Sequence, residues 1–153
     1  MSNFGEFLET VEESNRGFVS ELNDFLLENG CECKLKTAKS GFVVSYLRGD
    51  SKKTLLNFVM RKSGTQARIY AAHSGEYGDF LDTLPEKIKS KTKKSNDCRK
   101  LNGTGDDPHC TGGYEFTMDG EVYRKCRNNA FLIPLSEENN GFIREFLERE
   151  LRL

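Results

Sequence analysis

The apolar pattern of this chain changes period at residue 31, and that change decides its fold class. In SNFGEFLETVEES, Phe4, Phe7, Leu8 and Val11 recur at helical spacing. In NRGFVSELNDFLLENG, Phe18, Val19, Leu22, Phe25 and Leu26 do the same. Residues three and four apart share a helix face, so this spacing predicts two amphipathic helices. Ser2 or Asn3 suits the cap of the first and Asn15 the cap of the second, while Gly30 suits the stop at its far end. From Cys31 the period is two. In CECKLKT, Cys31, Cys33, Leu35 and Thr37 fall on one face, and Glu32, Lys34 and Lys36 on the other. FVVSYL, TLLNFVMR and QARIYAAH continue as strands, joined by KSG, RGDSKK and KSGT. Short polar joins predict an antiparallel meander. Its middle strands are apolar on both faces, so both faces call for cover, one of them from the helix pair.

Beyond the meander, SGEYGDFLDTL and PEKIKSKTKKS predict further helices, with Pro85 at a first helical position. Ile88 is the one strong hydrophobe between Pro85 and Asp97, which predicts a helix facing mostly water. NGTGDDPH reads as a loop. Asp119-Gly120 then sits between alternating residues, the strongest short signal for a hairpin. With that turn, Phe116 faces Tyr123, Glu115 faces Arg124, Tyr114 faces Lys125 and Gly113 faces Cys126. An aromatic pair and an opposite-charge pair then lie directly across from each other. Tyr114, Phe116 and Tyr123 share the expected core face. NAFLIPL predicts a short strand. Ser136, Glu137 and Glu138 then start a last helix with Phe142, Ile143, Phe146, Leu147 and Leu151 on one face. The expected architecture is a single α+β domain over residues 1–153. It has a mostly antiparallel sheet, a four-stranded meander plus a C-terminal hairpin and short strand, covered by N-terminal and C-terminal helices.

The formal net charge of −1 conceals a segregation. Residues 1–30 carry seven acids and one base; residues 31–73 carry nine bases and two acids. Residues 86–101 are basic again, through KIKSKTKKS. Acidic helices lying against a basic sheet would cancel most of this. An exposed basic face would instead attract an anionic ligand or a nucleic acid. Arg61, Lys62, Arg68, Tyr46 and Tyr70 make the best case for a single-stranded nucleic-acid binder, as basic groups interleaved with aromatics. The balanced total charge argues for the first reading, so a nucleic-acid partner is not favoured. The residues after Met1 show neither a basic start nor an apolar run, so no secretory signal is expected. No stretch approaches the ~20 apolar residues of a membrane helix. The expected location is the cytoplasm, where thiols stay reduced, and an odd count of five cysteines agrees.

Cys98, Cys110 and Cys126, with His109 or Cys33 as a fourth ligand, define a candidate zinc site. The gaps of eleven and fifteen residues contain no tight C-x₂₋₄-C knuckle, which weakens it. His109 and Cys110 are adjacent, an awkward arrangement for one ion. Buried, unmetallated thiols are the competing reading. An extended chain at ~3.3 Å per residue leaves Cys110 about 10 Å from Cys126, beyond a direct bridge unless Gly112-Gly113 bends. No G-x-S-x-G, P-loop, H-E-x-x-H or dinucleotide fingerprint is present. For a small-molecule site, Tyr46, Arg68, Tyr70, His73 and Tyr77 are the candidates, if a covered sheet leaves a cleft.

SYLRGDSKKTLLNFVMRKSGTQARIYAAHSGEYGDFLDTLP and GGYEFTMDGEVYRKCRNNAFLIPLSEENNGFIREFLEREL together resemble small Firmicutes proteins that carry no assigned activity. The strand pair LLNFVMRKSGTQARIYA is also similar to YdhG-like domains. The first resemblance implies a bacterial, cytosolic protein and carries over no catalytic residue. The residue pattern favours a binding or regulatory module for a small or anionic molecule over an enzyme. A zinc- or thiol-dependent protein and a single-stranded nucleic-acid binder are the alternatives.

Overall fold

The computed structural model describes residues 3–38, 41–103 and 112–153. Helix α1 (Asn3–Thr10) and helix α2 (Glu13–Glu28) form where the helical spacing places them. Gly30 ends α2 with φ +85°, a conformation glycine adopts without a Cβ penalty. Ser2 lies outside the described residues. Asn15 does not cap α2. The helix begins three residues earlier, with Glu12 at the cap position, and Asn15 is buried in the first turn. Its amide donates to the Leu135 carbonyl at 3.3 Å, and its oxygen accepts from Asn140 at 3.1 Å. Those two distant partners satisfy the side chain more fully than a local cap would.

Strands β1 (Glu32–Ala38), β2 (Gly41–Leu47), β3 (Thr54–Arg61) and β4 (Gly64–Ile69) form the expected antiparallel meander. Ala38 pairs with Gly41, while Lys39 and Ser40 of that turn lie outside the described residues. A short strand β7 (Leu132–Pro134) joins β4, giving the five-stranded order β1-β2-β3-β4-β7. The architecture is α+β.

The chain groups into two compact units: residues 1–69 with 133–147, and residues 70–132 with 148–153. In the first, Val44, Tyr46, Leu56, Phe58, Ala67 and Ile69 form one face of the sheet and are fully buried. Tyr46 donates to Asn23 of α2 at 2.7 Å, and the Phe7 ring of α1 lies 5.8 Å from that of Phe58. The helices therefore cover this face. Val44, Leu56, Phe58 and Ile69 each contribute about 1.5–3 kcal/mol on burial. Helix α6 (Asn140–Leu151) adds Ile143, Phe146 and Leu147 to the buried set. It starts after a turn in which the Ser136 hydroxyl accepts from the Asn139 amide.

The second unit contains a 3-10 helical turn (Ser74–Glu76), helices α3 (Gly78–Leu81), α4 (Glu86–Lys94) and α5 (Arg99–Asn102), and the hairpin β5 (Tyr114–Met118) and β6 (Glu121–Lys125). The hairpin has the expected register from the Tyr114–Lys125 pair to the Met118–Glu121 pair, with Asp119 and Gly120 both at positive φ as a type I′ turn requires. Tyr114, Phe116 and Met118 are buried, and Phe131 packs on the first two at 5.9 and 5.1 Å. Lys125 shares this buried face. Its ammonium is satisfied by Asp97 at 2.8 Å and by the Ser95 carbonyl. Two details of α4 differ from expectation. Pro85 precedes the helix, its ψ of 148° being extended. The helix also buries Lys89 and Thr92 beside Ile88, with the Thr92 hydroxyl donating to the Ala130 carbonyl.

Candidate functional site

After β4 the chain turns tightly. The Ser74 amide donates to the Ala71 carbonyl, and the Glu76 amide to that of His73. The next turn starts α3, where Phe80 and Leu81 donate to the Tyr77 carbonyl. This winding carries His73 and Tyr77 to one carboxylate, that of Glu150 in the last turn of α6. Glu150 Oε1 accepts from the Tyr77 hydroxyl at 2.5 Å and from the His73 backbone amide at 2.8 Å. Its Oε2 lies 3.1 Å from His73 Nδ1. Glu150 has no solvent exposure, whereas the His73 side chain is 37% exposed. An ionised carboxylate only accepts hydrogen bonds, so this contact assigns the proton of a neutral imidazole to Nδ1. Nε2 is then left as an acceptor.

Three more residues of the second unit are linked to this pair through Tyr114, on which the charges of Arg127, Tyr70 and Glu150 all act. Tyr114 is buried, and its hydroxyl has no hydrogen bond of good geometry. Burial above all pushes its pKa up; the charge of Arg127 opposes this, and those of Tyr70 and Glu150 add to it. Arg127 lies over the Tyr70 ring, 5.3 Å from its centroid, and both are half-buried. The hydroxyl of Ser74, next to His73, is also buried without a partner.

Of the five residues expected at a small-molecule site, Tyr70, His73 and Tyr77 fall in this cluster. Tyr46 and Arg68 belong to the other unit and lie on opposite faces of its sheet. Tyr46 pairs in register with Leu56, on the helix-covered face, and Arg68 pairs with Asn57, on the other. The same alternation bears on nucleic acid. Lys34, Ser45, Asn57 and Arg68 form a polar row across four strands. Phe42, Tyr46 and Phe58 point to the face opposite that row, so these three rings do not share a surface with Lys34 and Arg68.

The sequence pattern passed over two members of the cluster, Glu150 and Arg127. Glu150 had a signal: it continues the stripe of Ile143 and Leu147 at helical spacing, where an apolar residue belongs. A charged side chain on a buried stripe marks a built polar contact. Arg127 sits in a turn and had no such signal.

Of the expected zinc ligands, His109 and Cys110 lie outside the described residues. Cys98 is buried, and its sulfur accepts from the backbone amides of Leu101 and Gly113, at 3.5 and 3.2 Å. Cys126 donates its amide to Asn96, while the Cys98 amide donates to Arg124. The two cysteines thus stand one step to either side of the bridging pair Asp97 and Lys125, not across from one another. Among the described residues no three of His, Cys, Asp and Glu assemble to hold an ion. Also among the described residues, no helix is long and apolar enough to cross a membrane. No family model, no curated protein and no solved structure matches the chain.

Proposed function

We propose that the chain is a binding module for a small molecule with an anionic group, held at His73, Tyr70 and Arg127. One observation carries this reading: a fully buried carboxylate, Glu150, is used to orient a half-exposed imidazole. Burying a carboxylate costs several kcal/mol unless it is well bonded. Tyr77 and the His73 backbone amide already supply hydrogen bonds to it. The further bond to Nδ1 adds little to burial and fixes the direction of Nε2. Arg127 supplies a planar fork that suits a carboxylate or phosphate, and Tyr70 the ring over which that fork lies. A ligand that presents an anion to Arg127 and donates a hydrogen bond to Nε2 fits this set.

The test is a heteronuclear NMR titration of the full chain with small carboxylates and phosphate monoesters. Signals of His73, Tyr70 and Arg127 are expected to shift together with at least one ligand. Arg127→Gln is expected to weaken that ligand about tenfold, the loss of a charge-assisted hydrogen bond, and His73→Gln about threefold to tenfold, the loss of a neutral one. A panel that leaves all three signals in place rejects the reading.

A further inference from the structure

Five of the nine residues of α4 are lysines, and the fold divides them by face. Lys89 and Lys93, four apart, both reach Asp119 in the hairpin turn, at 3.0 and 2.8 Å. They fasten the hairpin to the helix. Lys87, Lys91 and Lys94 stand on the opposite face, at positions i, i+4 and i+7, and line an open groove of about 720 Å³. Its size falls in the range of small-molecule sites. Ser90, Asn96 and Asn129 contribute uncharged hydrogen-bonding groups to the wall. The one carboxylate on the wall, Glu86, lies 3.6 Å from Lys89.

The spacing of the lysines sets the ligand. At 1.5 Å per residue, Lys87 and Lys94 are about 10 Å apart along the helix axis, with Lys91 between them. A single phosphate spans too little to meet all three. A chain of phosphates, or two phosphates on a small scaffold, meets them in turn, while the serine and asparagines bond to its bridging oxygens or hydroxyls. We propose that this groove is a binding site for a small polyanion bearing two or more phosphate groups. It shares no residue with the cluster around Glu150, so either site can fail without the other.

Inorganic tripolyphosphate, titrated into the full chain by calorimetry at low and at high salt, is the probe. Binding is expected at low salt, weaker at high salt, and stronger than that of orthophosphate. A Lys87→Gln, Lys91→Gln, Lys94→Gln variant is expected to lose about tenfold or more in affinity with an unchanged melting temperature. A variant that removes three charges elsewhere, Lys34→Gln, Lys36→Gln and Lys62→Gln, is expected to bind as the parent does. No heat at low salt overturns the proposal. Equal losses in the two triple variants also overturn it, because they show attraction by net charge alone. Tighter binding of a single-stranded oligonucleotide than of tripolyphosphate overturns it as well, and marks the lysines as a nucleic-acid surface.

Discussion

Glu150 and Tyr114 show how a single buried polar atom reports on use. Glu150 is bonded by three groups of the 73–77 segment: the Tyr77 hydroxyl and the His73 amide satisfy the buried carboxylate, and the contact to His73 Nδ1 orients the imidazole. Tyr114, beside it, buries a hydroxyl without a well-formed hydrogen bond. An unsatisfied buried hydroxyl destabilises by about 1–3 kcal/mol. Tyr114→Phe is therefore expected to leave the melting temperature unchanged or to raise it by a few degrees. A clear drop in a thermal melt would show that the hydroxyl has a partner in solution. Gly113 is read at the same scale. A Cβ there would overlap the Lys125 carbonyl oxygen and come within 2.9 Å of Cys98 Cβ. The glycine is thus required first by the Lys125 carbonyl of β6 and then by the close approach of Cys98, not by the side chain of Cys126, the residue opposite it in the expected register.

At the scale of elements, the hairpin is the most locally encoded part of the chain. Its register follows from Asp119-Gly120 and from pairs directly across, and nothing distant had to be known. Gly120 has φ +82°, and a Cβ added there meets no atom within 4 Å. Its cost on substitution is then backbone strain alone. Gly120→Ala is expected to lower the stability of the chain by about 1 kcal/mol in urea unfolding, and Gly120→Asn by less, because asparagine tolerates the left-handed region. Equal losses for the two would mean that the turn has another conformation. Helix α4 is the opposite case. Its run of lysines reads as one solvated face, but Asp119, contributed by an element some 25 residues downstream, divides it in two. Pro85 and Asn15 were displaced from their expected positions for similar reasons, since tertiary partners moved the helix starts that local preference suggested.

At the scale of the molecule, the segregated charges are partly used in pairs, and these respond to acid. Burial pushes the Glu12 carboxyl up. Backbone amides of Glu12 and Thr65, with the Asn15 amide and the Thr65 hydroxyl, outweigh it and hold the group below its ordinary range. Lys93 and Lys89 hold Asp119 down, and Lys52 holds Glu32 down. A carboxylate depressed in the folded state stabilises fully above its unfolded pKa, roughly 4, and loses that contribution as pH falls through the folded value. The urea midpoint is therefore expected to stay level from pH 7 to about pH 5.5 and to fall below about pH 4.5. Glu12→Gln should remove part of that fall. A midpoint unchanged down to pH 3 would contradict the assignment.

The period change at residue 31 by itself determined the helix pair, the meander and the α+β class, because apolar spacing is set by backbone geometry and needs no distant partner. Turn chemistry likewise determined the hairpin and its register. Only the tertiary structure decided which candidates meet. Strand alternation sent Tyr46 and Arg68 to opposite faces, and the last turn of α6 brought Glu150 to His73 and Tyr77, residues more than seventy positions away in the chain. A polar contact across that separation leaves only a faint trace in sequence, here one charged residue on an apolar stripe. Its strength comes from burial, which exists only once the chain is folded.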